Sequence, residues 1–203
     1  MVLLHYHSSR RSSALPSLHI HAELSTLVEL FYGSLGDLGI FQVASAKDVP
    51  ESYRKLLVHN HHMTVTMEEF YRSQVHVQVL EAKQAANCYS RRILLDRESD
   101  GRVVQFGIVR LNFDFLSPEV REEIESQRTP LGRILIKYNV LREIELVGLW
   151  RVTPGADLCR LFATTPEQIT YARTAIIHCD GQPAVELLEI AAPVGPENSN
   201  VAQ

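Results

Sequence analysis

The chain has 203 residues, a formal net charge of −4 and 45% hydrophobic residues. These values predict one globular domain and exclude a disordered chain, a fibrous repeat and a coiled coil. The acidic balance argues against a dedicated nucleic-acid binder, which needs a basic face. An anionic ligand would have to be drawn by a few local cations.

The three cysteines, Cys88, Cys159 and Cys179, are odd in number and form no CxxC pair. Neither a disulfide framework nor a cysteine-rich zinc site is expected, and a reducing cytoplasm fits. No apolar run approaches the roughly 18 residues of a membrane-spanning helix. Arg10-Arg11 among serines has the look of a twin-arginine signal, but His19, His21 and Glu23 interrupt the apolar stretch that should follow. The expected organisation is a loose N-terminal tail over 1–16, one domain over 17–194 and a disordered tail over 195–203.

In chain order, Leu24, Leu27, Val28 and Phe31 have helical spacing and predict a helix over 18–32. Gly33, Gly36 and Gly39 end it. Pro50 opens a short helix through Val58, and 63–71 forms another with Glu68 and Glu69 exposed. The period then changes. Val75, Val77 and Val79 alternate with polar residues and predict a half-buried strand. Further strands are expected over 88–95 and 103–112. Ser117-Pro118 is an N-cap and first-turn proline for a helix through Gln127, and Thr129-Pro130 repeats that signal before 131–138. Strands over 144–152, 169–179 and 184–191 complete the chain, the last two joined by a tight Asp180-Gly181 turn. Short strand links favour an α+β domain with a mostly antiparallel sheet of about six strands and helices on one side. No GxGxxG or Walker A sequence is present.

Three groups of residues could carry chemistry. His59, His61 and His62 cluster, and His76 or His178 could complete a metal set, but nothing in the spacing demands one, and structural or solvent-facing histidines are the favoured reading. Arg91 and Arg92 lie side by side in a strand and must face opposite ways. Arg91 shares parity with Tyr89, Ile93 and Leu95, so it is the inward one. An inward arginine is either paired internally or a fork for a ligand carboxylate. Glu189 shares parity with Val185, Leu187 and Ala191, where burial would raise its pKa and suit it to a proton donor or a hydrogen-bond partner, unless it is a solvent-facing residue at the strand edge. Glu186 on the opposite face is its competitor.

Four motifs then resemble the chorismate pyruvate-lyases, the 4-hydroxybenzoate synthases. They are Leu56-Leu57 with Met63-Thr64, Arg91-x-Ile93-Leu94-Leu95, Thr129-Pro130-Leu131-Gly132-Arg133, and Gly181-x-Pro183 followed by Glu189 and Pro193. They run in family order over about residues 53–193. The resemblance implies a chorismate lyase-like fold with a closed ligand cavity, and a reaction that eliminates pyruvate from chorismate to leave 4-hydroxybenzoate. It implies Arg91 on a ligand carboxylate and Glu189 at the ring hydroxyl as the catalytic pair. It further implies backbone contacts from Met63, Leu131 and Gly132, and no metal or organic cofactor. Arg133 is a candidate second cation for a dianionic substrate. The expected partner is a small aromatic or enolpyruvyl acid, with no nucleic acid and no membrane, bound by a monomer or weak dimer.

A non-catalytic effector-sensing module of the same fold, or a lyase for a related enolpyruvyl acid, is the alternative. Residues 1–50 lack the length and basic character expected of a DNA-binding helix-turn-helix domain.

Overall fold

The computed structural model describes residues 24–195. The tails expected over 1–16 and 195–203 therefore lie outside the described residues, Gly195 excepted, as does the start of the helix predicted from residue 18. Its described part, α1, is helical over 24–28. The elements that follow are α2 (Leu35–Leu38), β1 (Gly39–Val43), α3 (Glu51–Leu57), α4 (Met63–Tyr71), β2 (Val75–Ala85), β3 (Cys88–Arg97) and β4 (Val103–Asn112). Next come α5 (Pro118–Glu125), α6 (Leu131–Lys137), β5 (Arg142–Pro154), α7 (Ala156–Phe162), β6 (Thr170–Cys179) and β7 (Gln182–Ala191).

All seven strands join one sheet in the order β1-β5-β6-β7-β4-β3-β2, and every pairing is antiparallel. The α+β class and the antiparallel sheet are as the sequence predicts. The β6–β7 turn has Asp180 and Gly181 both at positive φ (50° and 79°), the twist that joins antiparallel strands most closely. Ser117 caps α5 by accepting from the Val120 amide. Thr129 does not cap α6. Its hydroxyl donates instead to Glu123 Oε1 at 2.8 Å, while Pro130 supplies the extended backbone at the helix start.

Three expectations change. The seventh strand, β1, was hidden because its five residues put apolar side chains on both faces and leave Ile40 and Val43 exposed, so no period-2 alternation marks it. The helices lie on both sides of the sheet rather than one. α3 to α6 cover the face that carries Arg91, whereas α1, α2 and α7 cover the other. That second face is as apolar as the first, with Leu94, Phe106, Ile108, Trp150 and Val152 all buried, and it too must be removed from water. Glu68 is half-buried rather than exposed. It accepts from the Val75 amide at 3.2 Å and pairs with Arg133, tying α4 to β2 and α6.

Among the described residues no helix is long and apolar enough to cross a membrane.

Candidate functional site

The register of β3, β4, β7 and β6 builds the floor of a cavity. Residues two apart on one strand share a face, so three rows form. The first row runs Arg91, Val109, Leu187. The second runs Ile93, Gly107, Glu189, Arg173. The third runs Leu95, Gln105, Ala191. Gly107 has no side chain at the middle of the floor, and Ile93 packs over it, with its Cγ1 3.3 Å from where a Cβ would stand. The roof is made by two helix starts, His62-Met63-Thr64 at α4 and Pro130-Leu131-Gly132 at α6.

The five residues singled out in the sequence, Arg91, Glu189, Met63, Leu131 and Gly132, all line this one cavity. Gly132 is there for space. A Cβ at this position would sit 3.0 Å from the His62 Cβ and 3.2 Å from Thr64 Oγ1, so any other residue would push these neighbours back by a few tenths of an ångström. Glu186 lies outside the cavity and pairs with Arg110 across the β4–β7 ladder. Arg133 also lies outside, held by Glu68.

Arg91 is 1% exposed. Its Nε and Nη1 have no hydrogen-bond partner among the described residues. Burial pulls the guanidinium below its ordinary pKa, opposed by the Tyr89 hydroxyl beside it. Guanidinium nonetheless stays charged in proteins. A buried cation with two idle donors costs free energy that an internal partner or a ligand must offset.

Glu189 has an internal partner that sequence reasoning missed. Arg173, directly opposite on β6, donates its Nε to Glu189 Oε2 at 2.6 Å. The remaining Arg173 donors reach the His59 carbonyl at 3.0 Å and the His61 carbonyl at 3.3 Å. The guanidinium thus pins the 59–61 loop to the sheet. Glu189 therefore meets the cavity already matched to a cation, placed to act as a hydrogen-bond partner. The parity rule that found Arg91 also applies to Arg173, which shares a face with Ala175 and Ile177.

The histidines serve this framework. His59 accepts from the His61 amide at Nδ1 (3.1 Å) and so donates from Nε2 to the Leu56 carbonyl (2.7 Å). Burial, and then the Arg173 charge, lower its pKa. His62 accepts from Arg142, and burial, followed by the charges of Arg142 and Arg173, pulls its pKa down to about 4. His178 pairs with Glu145 at the surface, and His76 lies 3.9 Å from Asp96. Among the described residues no three His, Cys, Asp or Glu side chains are grouped to hold a metal ion.

The His62 shift has a consequence for stability. The folded state keeps His62 neutral where the unfolded chain, with an ordinary pKa near 6.5, takes up a proton. Stability contributed by this residue is therefore complete above about pH 6.5 and is lost as pH falls toward 4. Between pH 7 and pH 5 the expected loss is roughly 1–2 kcal/mol, allowing for partial solvent access. Thermal melts at the two pH values should show it, and His62→Gln should shrink the difference. An equal drop in the variant would remove His62 as the cause.

The charged side chains on the cavity wall are Arg91, Arg173 and Glu189, two cations and one anion. With His62 neutral, the cavity carries one net positive charge and suits an anion.

No family model and no curated protein matches the chain. Solved structures do. The effector domain of PhnF from Mycobacterium smegmatis is similar at 10% identity and a TM-score of 0.49, over 65% of this chain and 88% of that one. PhnF itself gives the same identity and TM-score over 85% and 94%. The C-terminal domain of the histidine utilization repressor from Pseudomonas syringae is similar at 13% identity and a TM-score of 0.42, over 59% and 92%.

Proposed function

We propose that this protein binds a small carboxylic acid in the cavity between the sheet and the starts of α4 and α6, with Arg91 as the carboxylate fork. One observation carries the reading. Arg91 is fully buried, faces the cavity, and keeps two donors free. An internal salt bridge was the competing explanation for an inward arginine. Among the described residues the only carboxylate on the cavity wall, Glu189, is engaged by Arg173 instead. A planar guanidinium with idle donors matches a carboxylate in shape and charge. The apolar side chains of Ile93, Leu95, Val109, Ile144 and Leu187 favour an aromatic or unsaturated body. Calorimetric titration with 4-hydroxybenzoate is the first test. Binding that disappears in Arg91→Met is the expected result. No binding of any benzoate-class acid to the wild-type chain would end the proposal.

The second reading is catalytic. It rests on the sequence resemblance together with one geometric fact, that Arg91, Glu189, Met63 and Leu131 share one cavity. In a chorismate lyase role, Arg91 would neutralise the ring carboxylate while Glu189 accepted the ring hydroxyl. Positioning would supply most of the acceleration, since forming the aromatic ring drives the elimination. Release of pyruvate from chorismate, followed by a coupled assay, separates the two readings. Tight 4-hydroxybenzoate binding with pyruvate release no faster than the uncatalysed rate would leave a sensing or carrier role.

A further inference from the structure

Gln105 is 2% exposed and lines the same cavity. Its Oε1 is buried without a partner, and neither end of the amide forms a hydrogen bond among the described residues. An unsatisfied amide in a protein interior is costly and is normally filled by protein, water or ligand. Gln105 therefore presents a second idle polar group in the chamber that holds Arg91.

The floor geometry says what that group can reach. Gln105 stands one row beyond Gly107 on β4, and Gly107 is directly opposite Glu189. Gln105 and Glu189 are thus diagonal cross-strand neighbours, roughly 7–8 Å apart at the backbone, a gap long side chains close. No side chain rises from Gly107 between them. Arg91 stands at the opposite end, in the first row. A ligand whose carboxylate rests on Arg91 projects its far end toward Glu189 and Gln105. Glu189 can only accept. The amide can donate or accept, according to how it turns. A hydroxyl suits both, because it donates to the carboxylate and accepts from the amide.

We infer that Gln105 is a specificity-determining residue that, with Glu189, reads a hydroxyl at the end of the ligand remote from its carboxylate, so the cavity selects hydroxylated carboxylic acids over their deoxy analogues. This inference rests on the carboxylate-binding reading above.

The test titrates the full chain with benzoate and with 4-hydroxybenzoate, as wild type and as Gln105→Leu. The wild type should bind 4-hydroxybenzoate about tenfold or more tightly than benzoate, because a site built around polar groups penalises a ligand that leaves them unpaired. In Gln105→Leu the preference should fall by roughly tenfold, with benzoate binding level or tighter because it no longer leaves the amide unpaired. The melting temperature of the free variant should stay level or rise, since an idle buried amide has been replaced by a hydrocarbon of similar size. A wild type that binds both acids equally, or a variant that keeps the full preference, overturns the role of Gln105 and leaves Arg91 untouched. A variant that melts lower and loses both acids in parallel shows a structural glutamine and also overturns it. A wild type that binds neither acid removes the carboxylate-binding reading, and this inference with it.

Discussion

Arg91→Met is expected to lower carboxylate affinity by at least about a hundredfold while leaving the free protein as stable as before or more so. The two effects have one cause. Arg91 is buried with Nε and Nη1 unpartnered, so in the free protein it contributes desolvation cost without a compensating ion pair. Methionine has nearly the same reach, stands on the same strand face between Tyr89 and Ile93, and needs no hydrogen bonds. Replacing buried charge by well-packed hydrocarbon is often neutral or stabilising. In the complex the balance reverses. The ligand carboxylate would be left buried against apolar side chains, and losing one partner of a buried charged pair costs roughly 2–5 kcal/mol. Paired thermal melts with and without 4-hydroxybenzoate read both quantities at once. Ligand should raise the melting temperature of the wild type and leave that of Arg91→Met unmoved. Arg91→Lys should not rescue binding fully, since an ammonium cannot present the two parallel donors of the fork. A variant that melts well below the wild type would show that Arg91 already has a stabilising role in the free fold, and the idle-donor argument would fail.

The part of the site legible in the sequence was the part written in strand parity. Arg91 and Glu189 each interrupt an apolar face, and period-2 alternation gives the side they face without any knowledge of the partner strand. Met63, Leu131 and Gly132 were legible only through the resemblance of the Met63-Thr64 and Thr129-Pro130-Leu131-Gly132 runs to a known family, since nothing in their own spacing marks them as ligand contacts. What parity cannot give is register. That Glu189 lies opposite Arg173 and Gly107, and Arg91 opposite Val109, follows from hairpin geometry and bulges, such as the shift between Leu95 and Asp96. Register decides which of two inward arginines, Arg91 and Arg173, takes Glu189 and which does not. Gln105 was invisible for a related reason. A glutamine in a strand is unremarkable until its neighbours are known to offer it nothing. The missed helix α7 has a different origin. Its N-cap is Gly155, which offers no side chain to cap the first turn, so no start signal marks it.

The Arg173–Glu189 pair should show the opposite stability behaviour from Arg91. Glu189→Leu leaves Arg173, 1% exposed, with its charge uncompensated, and breaking a buried pair from one side costs roughly 3–5 kcal/mol. For a chain of this size that corresponds to a fall in melting temperature of about 10 °C. Arg173→Met should cost less from the charge, because an isolated buried carboxyl can take up a proton. It also strips donors from the His59 and His61 carbonyls, which loosens the segment leading into α4 and the cavity roof. The double variant Glu189→Leu/Arg173→Met removes both charges, and its melting temperature should recover above that of Glu189→Leu, though not to the wild-type value, since the two carbonyls remain unserved. The coupling from this cycle measures the pair apart from the loop contacts. Additive losses with no recovery would mean that Arg173 acts chiefly through the 59–61 loop. In that case Glu189 would be free to turn toward a ligand without its counter-ion, and the acceptor role drawn from the ion pair would lose its basis.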